Sequence, residues 1–164
     1  MRRGRIRRWS RAMSQEDTEA LLQQCMIGRL ATVGADNVPY ITPFNYYYEP
    51  HSKRIYVHHS NKPGHLLDNL RHSDNVCFEV EETGPISFTG QRACSASQIY
   101  QSVICFGKIS AIEAEEEKES VVRLLMKKYI DEPMPERTYS PELVTLDRIV
   151  VLAIDVEIMT GKRR

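Results

Sequence analysis

Candidate chemistry concentrates in one stretch, Ile55 to Leu70, which reads IYVHHSNKPGHLLDNL. Three apolar residues, Ile55, Tyr56 and Val57, give way at once to His58, His59, Ser60, Asn61 and Lys62. Pro63 and Gly64 follow, and Leu66, Leu67 and Leu70 then fall at helical spacing. The pattern predicts a strand, a polar turn and the start of a helix. Corners of this kind can hold a phosphate. Free N–H groups at a helix N-terminus carry partial positive charge, and hydroxyl and cationic side chains complete a cradle. Pro63 suits a first helical turn, where the N–H it lacks would have no intrahelical partner. Polar turns between strand and helix also occur with no ligand at all, so the corner alone is a candidate and not an assignment.

The five histidines raise the question of a metal. His58, His59, His65 and His72, with His51 or Cys77, are the conceivable ligands. Neighbouring strand residues point to opposite faces, so His58 and His59 should not share one ion, and no quartet has zinc spacing. No metal site is expected. His58 reads either as a group beside a ligand or as a polar strand end. Tyr46, Tyr47 and Tyr48 suit a core better than a stacking platform. Cys77 and Cys105 lie in apolar strands, where a thiol is packing.

These residues need a scaffold. The chain has 164 residues, 41% of them hydrophobic, which fits one soluble domain with a real core. No run approaches the ~18 apolar residues of a membrane span. The basic N-terminus lacks the apolar segment of a signal peptide. The four cysteines form no CxxC pair and read as reduced thiols of a cytoplasmic protein. The net charge of zero conceals an asymmetry. Residues 1–11 and 161–164 hold nine of the 22 basic residues and no acid, which leaves the body at a formal −9. An acidic body repels phosphate backbones, so nucleic acid is not the expected partner. Residues 1–13 read as a basic arm, mobile or draped on a partner subunit, and residues 14–164 as one domain.

Along that domain Ser14 looks like an N-cap, ahead of a short helix with Leu21, Leu22, Cys25 and Met26 on its apolar face and Gly28 at its end. Strands are expected at Arg29–Val33, Pro39–Tyr48, 54–58, Asn75–Val80, Tyr100–Ile112 and Ile149–Met159. Pro43 forbids a regular central ladder, so a bulge or a free edge is expected there. Gly107 reads as a bulge or a point of close backbone approach. Helices are expected at 63–71 and Glu115–Tyr129. Residues 82–99, weakly patterned, read as disorder or a functional loop, and 131–141, with three prolines, as a loop. The order suggests a small antiparallel β-barrel with peripheral helices. No GxGxxG or GxxxxGK[ST] occurs, which disfavours a dinucleotide or P-loop fold.

Taken together, GRLATV, DNVPYITPFNY, IYVHHSNKPGHLLDNL, NVCFEV, YQSVICFGKI and the tail IMTGK resemble, in order and spacing, the FMN-binding split-barrel proteins. Among these the chain is most similar to the nitroimidazole-resistance branch, relatives of pyridoxamine-phosphate oxidase. The resemblance runs from about Ser14 to Lys162. It implies an antiparallel six-stranded split β-barrel and a homodimer with FMN at the subunit interface; FAD is the other flavin to consider. It implies that the flavin ring lies against Thr42, Pro43, Phe44 and Asn45. His58 or His59, Ser60, Lys62 and His65 would hold the phosphate, with Arg29 adding a positive charge. Tyr100, Ser102 and Val103 would approach from the second subunit. His58 would stand near the ring or the substrate, in the catalytic position. The implied activity is reduction of a small nitroaromatic acceptor, with NADH or NADPH as electron donor. A non-catalytic flavin-binding or haem-binding stress or sensor protein is the alternative. A true pyridoxamine-phosphate oxidase would need a second phosphate site, and outside the tails only Arg92 offers one.

Overall fold

Short runs that alternate apolar and polar residues are punctuated by Gly, Pro, Asn and Asp, and they fold as strands joined by tight turns. The structure, a computed structural model, describes residues 4–90, 92, 95–130 and 146–164. Helix α1 spans Gln15–Gln24, α2 His65–His72 and α3 Glu115–Tyr129. The strands are β1 (Gly28–Val33), β2 (Pro39–Phe44), β3 (Tyr47–Glu49), β4 (Arg54–Ser60), β5 (Asn75–Phe88), β6 (Ala96–Ala111) and β7 (Ile149–Arg163). All seven join one antiparallel sheet in the order β2-β1-β5-β6-β7-β4-β3. Its two edge strands, β2 and β3, are consecutive in the chain, with only Asn45 and Tyr46 between them. The sheet must therefore curl until its edges approach, yet they do not pair. This is a split barrel, mainly β with helices outside it.

The barrel interior holds Leu30, Tyr46, Ile55, Val57, Phe78, Val80, Val103 and Ile154. A second apolar cluster lies on the outer face, where Val121 and Leu125 of α3 cover Tyr56, Val151 and Ala153. Ser14 caps α1 as expected, its hydroxyl accepting from the Asp17 N–H at 3.0 Å. Among the described residues no helix is long and apolar enough to cross a membrane.

Several expectations are corrected. The aromatic run Pro39–Tyr48 is two strands, so the sheet has seven strands and not six. Its break falls at Asn45-Tyr46 and not at Pro43, which sits opposite Arg29 in edge strand β2. An edge tolerates the missing N–H, the free-edge outcome that the sequence allowed. Of residues 82–99, 82–88 and 96–99 are strand: they extend β5 and β6 into a long hairpin, irregular between Thr83 and Ile86, where Gly84-Pro85 obscures the alternation. α1 ends at Gln24, and Gly28 opens β1 beneath the Phe78 ring, where a side chain would have no room. The described part of the basic arm lies on its own sheet: Ala12 bridges to Lys162, and the Met13 N–H donates to the Gly161 carbonyl at 2.9 Å. The expected loop 131–141 falls outside the described residues.

Gly107 meets its expectation. The register of β6 against β7 shifts between Phe106 and Gly107, and a Cβ here would run into the Asp155 carbonyl oxygen. Because that obstacle is backbone, Gly107→Ala should lower the unfolding free energy by about 2 kcal/mol. Urea denaturation followed by circular dichroism measures this, and an unchanged midpoint would contradict the close approach.

Candidate functional site

The split has a definite composition. β3 pairs with Arg54–Tyr56 of β4 and no further, so His58, His59 and Ser60 are laddered only to β7. β2 is laddered only to β1. Two strand segments thus face one another, each with peptide groups that no strand satisfies. Side chains bridge the gap in place of a ladder. Phe44 meets His59 edge-on at 6.1 Å, and Tyr40 stacks on His65 at 5.3 Å. Thr42 lies between Tyr40 and Phe44 on the same face of β2. Its hydroxyl is buried and has no hydrogen-bond partner. An unpaired buried hydroxyl costs about 1–3 kcal/mol, and a polar ligand atom at this point would recover it.

Beyond Ser60 the chain turns. The Ser60 hydroxyl accepts from the Lys62 N–H at 3.3 Å, and the Asn61 N–H donates to the Arg148 carbonyl at 3.1 Å. These bonds fix the turn against the segment that leads into β7. Lys62 is exposed and has no ion-pair partner among the described residues. α2 then begins at His65 after Gly64, with no side chain capping its first turn. Pro63 stands two residues ahead of α2 and not inside its first turn, a correction to the sequence reading.

His58 faces the opposite side of β4 from His59, as strand alternation requires. With Asn45 it opens onto a pocket of about 240 Å³ whose other walls are Val122, Leu125, Met126, Tyr129 and Ile130 of α3 and its end. Burial, with the nearby His59 adding repulsion, pushes the His58 pKa below its ordinary 6.5. Its imidazole is therefore neutral at pH 7. Among the described residues no group of three or more His, Cys, Asp or Glu side chains could hold a metal.

The last turn of α3 holds this region together. The Tyr129 hydroxyl accepts from the Tyr46 N–H at 2.8 Å and donates to the Met26 carbonyl at 2.7 Å. Lys128 donates to the Cys25 carbonyl at 2.8 Å, with its ammonium 3.8 Å from the centre of the Tyr46 ring. Burial lowers the Lys128 pKa to about 8, against a smaller upward pull from the Cys25 thiol. Sequence reasoning missed both roles. Both lie in the helix expected at Glu115–Tyr129, and no local signal shows which distant carbonyls they reach. Tyr40 was also missed, although its place two residues before Thr42 puts it on the same face.

Nine of the sequence-predicted residues surround the split: Thr42, Pro43, Phe44, Asn45, His58, His59, Ser60, Lys62 and His65. Four do not. Arg29 lies on β1 opposite Pro43, but pairs with Glu79 at 3.1 Å and Glu81 at 3.4 Å, so its charge is already shared. Tyr100, Ser102 and Val103, which the resemblance brings to the flavin from a second subunit, lie on β6, with β5 and β1 between them and this chain's own β2. Val103 is fully buried in the core, so its side chain is committed to packing.

Comparison with known proteins follows the fold. The sequence model of the family described as pyridoxamine 5'-phosphate oxidase matches residues 14–163. No curated protein matches significantly. Among solved structures, a candidate 5-nitroimidazole antibiotic resistance protein from Bacteroides thetaiotaomicron is similar, with TM-score 0.77 and 24% identity over 93% of this chain and 86% of that one. A flavocytochrome from Azotobacter vinelandii aligns with TM-score 0.79 and 20% identity over 100% of this chain and 74% of that one. An FAD- and haem-binding protein from Mycobacterium smegmatis aligns with TM-score 0.73 and 20% identity over 92% and 71%. At these identities the structures share the fold.

The Lys128 linkage makes a testable prediction. With its pKa lowered from 10.5 to about 8, the folded chain holds fewer protons at this group than the unfolded chain between those values. Its contribution to stability should therefore rise with pH across that window. The unfolding free energy of the wild type minus that of Lys128→Met, measured by denaturant titration from pH 7.5 to 10.5, should climb. A flat difference would contradict the burial.

Proposed function

The chain belongs to the pyridoxamine 5'-phosphate oxidase family, and on that premise we propose that it is an FMN-dependent oxidoreductase reducing a small nitroaromatic acceptor of the nitroimidazole type. One observation carries the reading: the unladdered gap between β2 and β4, with an unpartnered buried Thr42 hydroxyl at one wall and the Lys62 turn at its end. The residues fit a flavin nucleotide. Ser60, Lys62 and His65 would hold the phosphate, where a cation without a carboxylate partner meets the uncapped start of α2. Thr42, Asn45 and the free edge of β2 would hydrogen-bond the polar side of the ring, and Phe44 and His59 would pack on its body. When bound, the flavin supplies two-electron transfer from a reduced nicotinamide to the acceptor.

The chain's own contribution lies in orientation and exclusion of water. The pocket under α3 offers Val122, Leu125 and Met126 to a flat apolar ring. His58, neutral at pH 7, stands at its mouth with one donor and one acceptor for an acceptor oxygen. The proposal includes a homodimer, supported by exposed apolar residues on the outer face of the sheet, among them Val33, Ile41 and Ile104. It includes a cytoplasmic location, in keeping with the unpaired thiols of Cys25, Cys77 and Cys105. A non-catalytic flavin- or haem-binding role is the second reading. It is favoured by the single imidazole of His58 beside an apolar wall, and a Soret band in the purified protein would select haem.

In stopped-flow experiments on the reduced flavoprotein, a nitroimidazole should speed flavin reoxidation, and no acceleration would reject the reductase assignment. The acceleration should weaken on acidification below the ordinary imidazole range, where His58 takes up a proton, and His58→Gln should flatten that profile. Lys62→Ala should raise the Kd for FMN about tenfold or more, the size of one charge-assisted hydrogen bond, and titration of the flavin fluorescence measures it.

A further inference from the structure

Helix α3 walls the pocket beside His58 with one face and keeps its charges on the others. Val122, Leu125, Met126 and Tyr129 recur at helical spacing and turn together toward His58 and Asn45. The charged residues between them are engaged elsewhere. Arg123 donates from Nε to the Glu119 carboxylate at 3.0 Å, Lys128 donates to the Cys25 carbonyl at 2.8 Å, and Lys127 is exposed. No lysine, arginine, aspartate or glutamate is among the described residues that line the pocket. Of its polar groups, the Tyr129 hydroxyl is held between the Tyr46 N–H and the Met26 carbonyl. The Asn45 carboxamide reaches the Met26 carbonyl only at 3.5 Å. That carboxamide and the neutral imidazole of His58 are left to meet a ligand.

A charged substituent brought against such a wall loses its water and gains no counter-charge. A neutral ring loses far less. Its body displaces water from Val122, Leu125 and Met126, and an uncharged polar substituent can accept from and donate to the imidazole and the carboxamide. The volume of about 240 Å³ lies below the usual range of drug-sized pockets and suits one ring with its substituents. Met126, half-buried and unbranched, occupies the space that a second ring would need. We infer that this pocket selects by charge and size, taking uncharged single-ring aromatics and rejecting anionic or two-ring ones, with Met126 setting the size limit. The inference rests on the pocket being the acceptor site of the proposed reductase, and it narrows the acceptor class. The same wall excludes a nicotinamide dinucleotide, which is larger and carries phosphates, so the electron donor reaches the flavin by another approach.

Calorimetric titration of the full chain in excess oxidised FMN reads binding without turnover. 4-Nitrobenzamide and 4-nitrobenzoate have nearly the same shape and differ in charge. The amide should bind at least about tenfold more tightly, since the benzoate leaves a charge unpaired. 6-Nitroquinoline, neutral but with two fused rings, should bind the wild type weakly and Met126→Ala at least about tenfold better. Met126→Lys places a cation in the wall and should bring the benzoate level with the amide or beyond it. If that variant does not fold, the wild-type pair decides alone. NADPH should not displace the amide. Absence of amide binding, equal or tighter binding of the benzoate by the wild type, or displacement of the amide by NADPH would overturn the selection. Failure of the reductase reading looks different: the amide binds with the expected preference, yet flavin reoxidation is no faster. Reoxidation sped equally by amide and benzoate would keep the reductase and overturn the selection.

Discussion

The hydrogen bonds that β2 and β4 do not make with each other govern this molecule. A barrel of this size would ordinarily close its sheet and satisfy every strand edge. Here closure is prevented at the two-residue link, Asn45-Tyr46. Tyr46 drives its ring into the core, 4.9 Å from that of Phe78, and its hydroxyl donates to the Leu22 carbonyl at 2.5 Å. Its own N–H is taken by the Tyr129 hydroxyl at 2.8 Å. A link pinned on both sides cannot slide to bring the edges into register. The gap is therefore a fixed feature of the packing, and side chains instead of backbone line it.

Electrostatics follow the same division. The acidic body carries the net negative charge, yet part of it is already matched, as Glu79 and Glu81 of β5 are by Arg29. Lys62 and the imidazoles of His59 and His65 remain at the gap itself. A local excess of donors on an acidic protein concentrates anion affinity in one place.

Much of this was legible in the sequence. The run from Ile55 to Leu70 announced strand, turn and helix and held five of the nine residues around the split, while Thr42 to Asn45 came from the family resemblance. Strand alternation put His58 and His59 on opposite faces. What could not be read was set at long range. Nothing local to Tyr129 or Lys128 says that they reach Tyr46 and Cys25, 83 and 103 residues away. Arg29 looked free because Glu79 and Glu81 become its neighbours only when β5 docks on β1. The hairpin beyond Glu81 was hidden by Gly84-Pro85, since the strands resume only through their mutual pairing.

The central claim is that the gap is built around a phosphate-bearing flavin. Comparing FMN with riboflavin tests it most directly, because the two differ only in the phosphate. Equilibrium titration of the flavin-free protein should show FMN binding at least about tenfold more tightly than riboflavin, and the advantage should shrink in Lys62→Ala. Equal affinity for the two flavins, or an advantage that survives the substitution intact, would contradict the account.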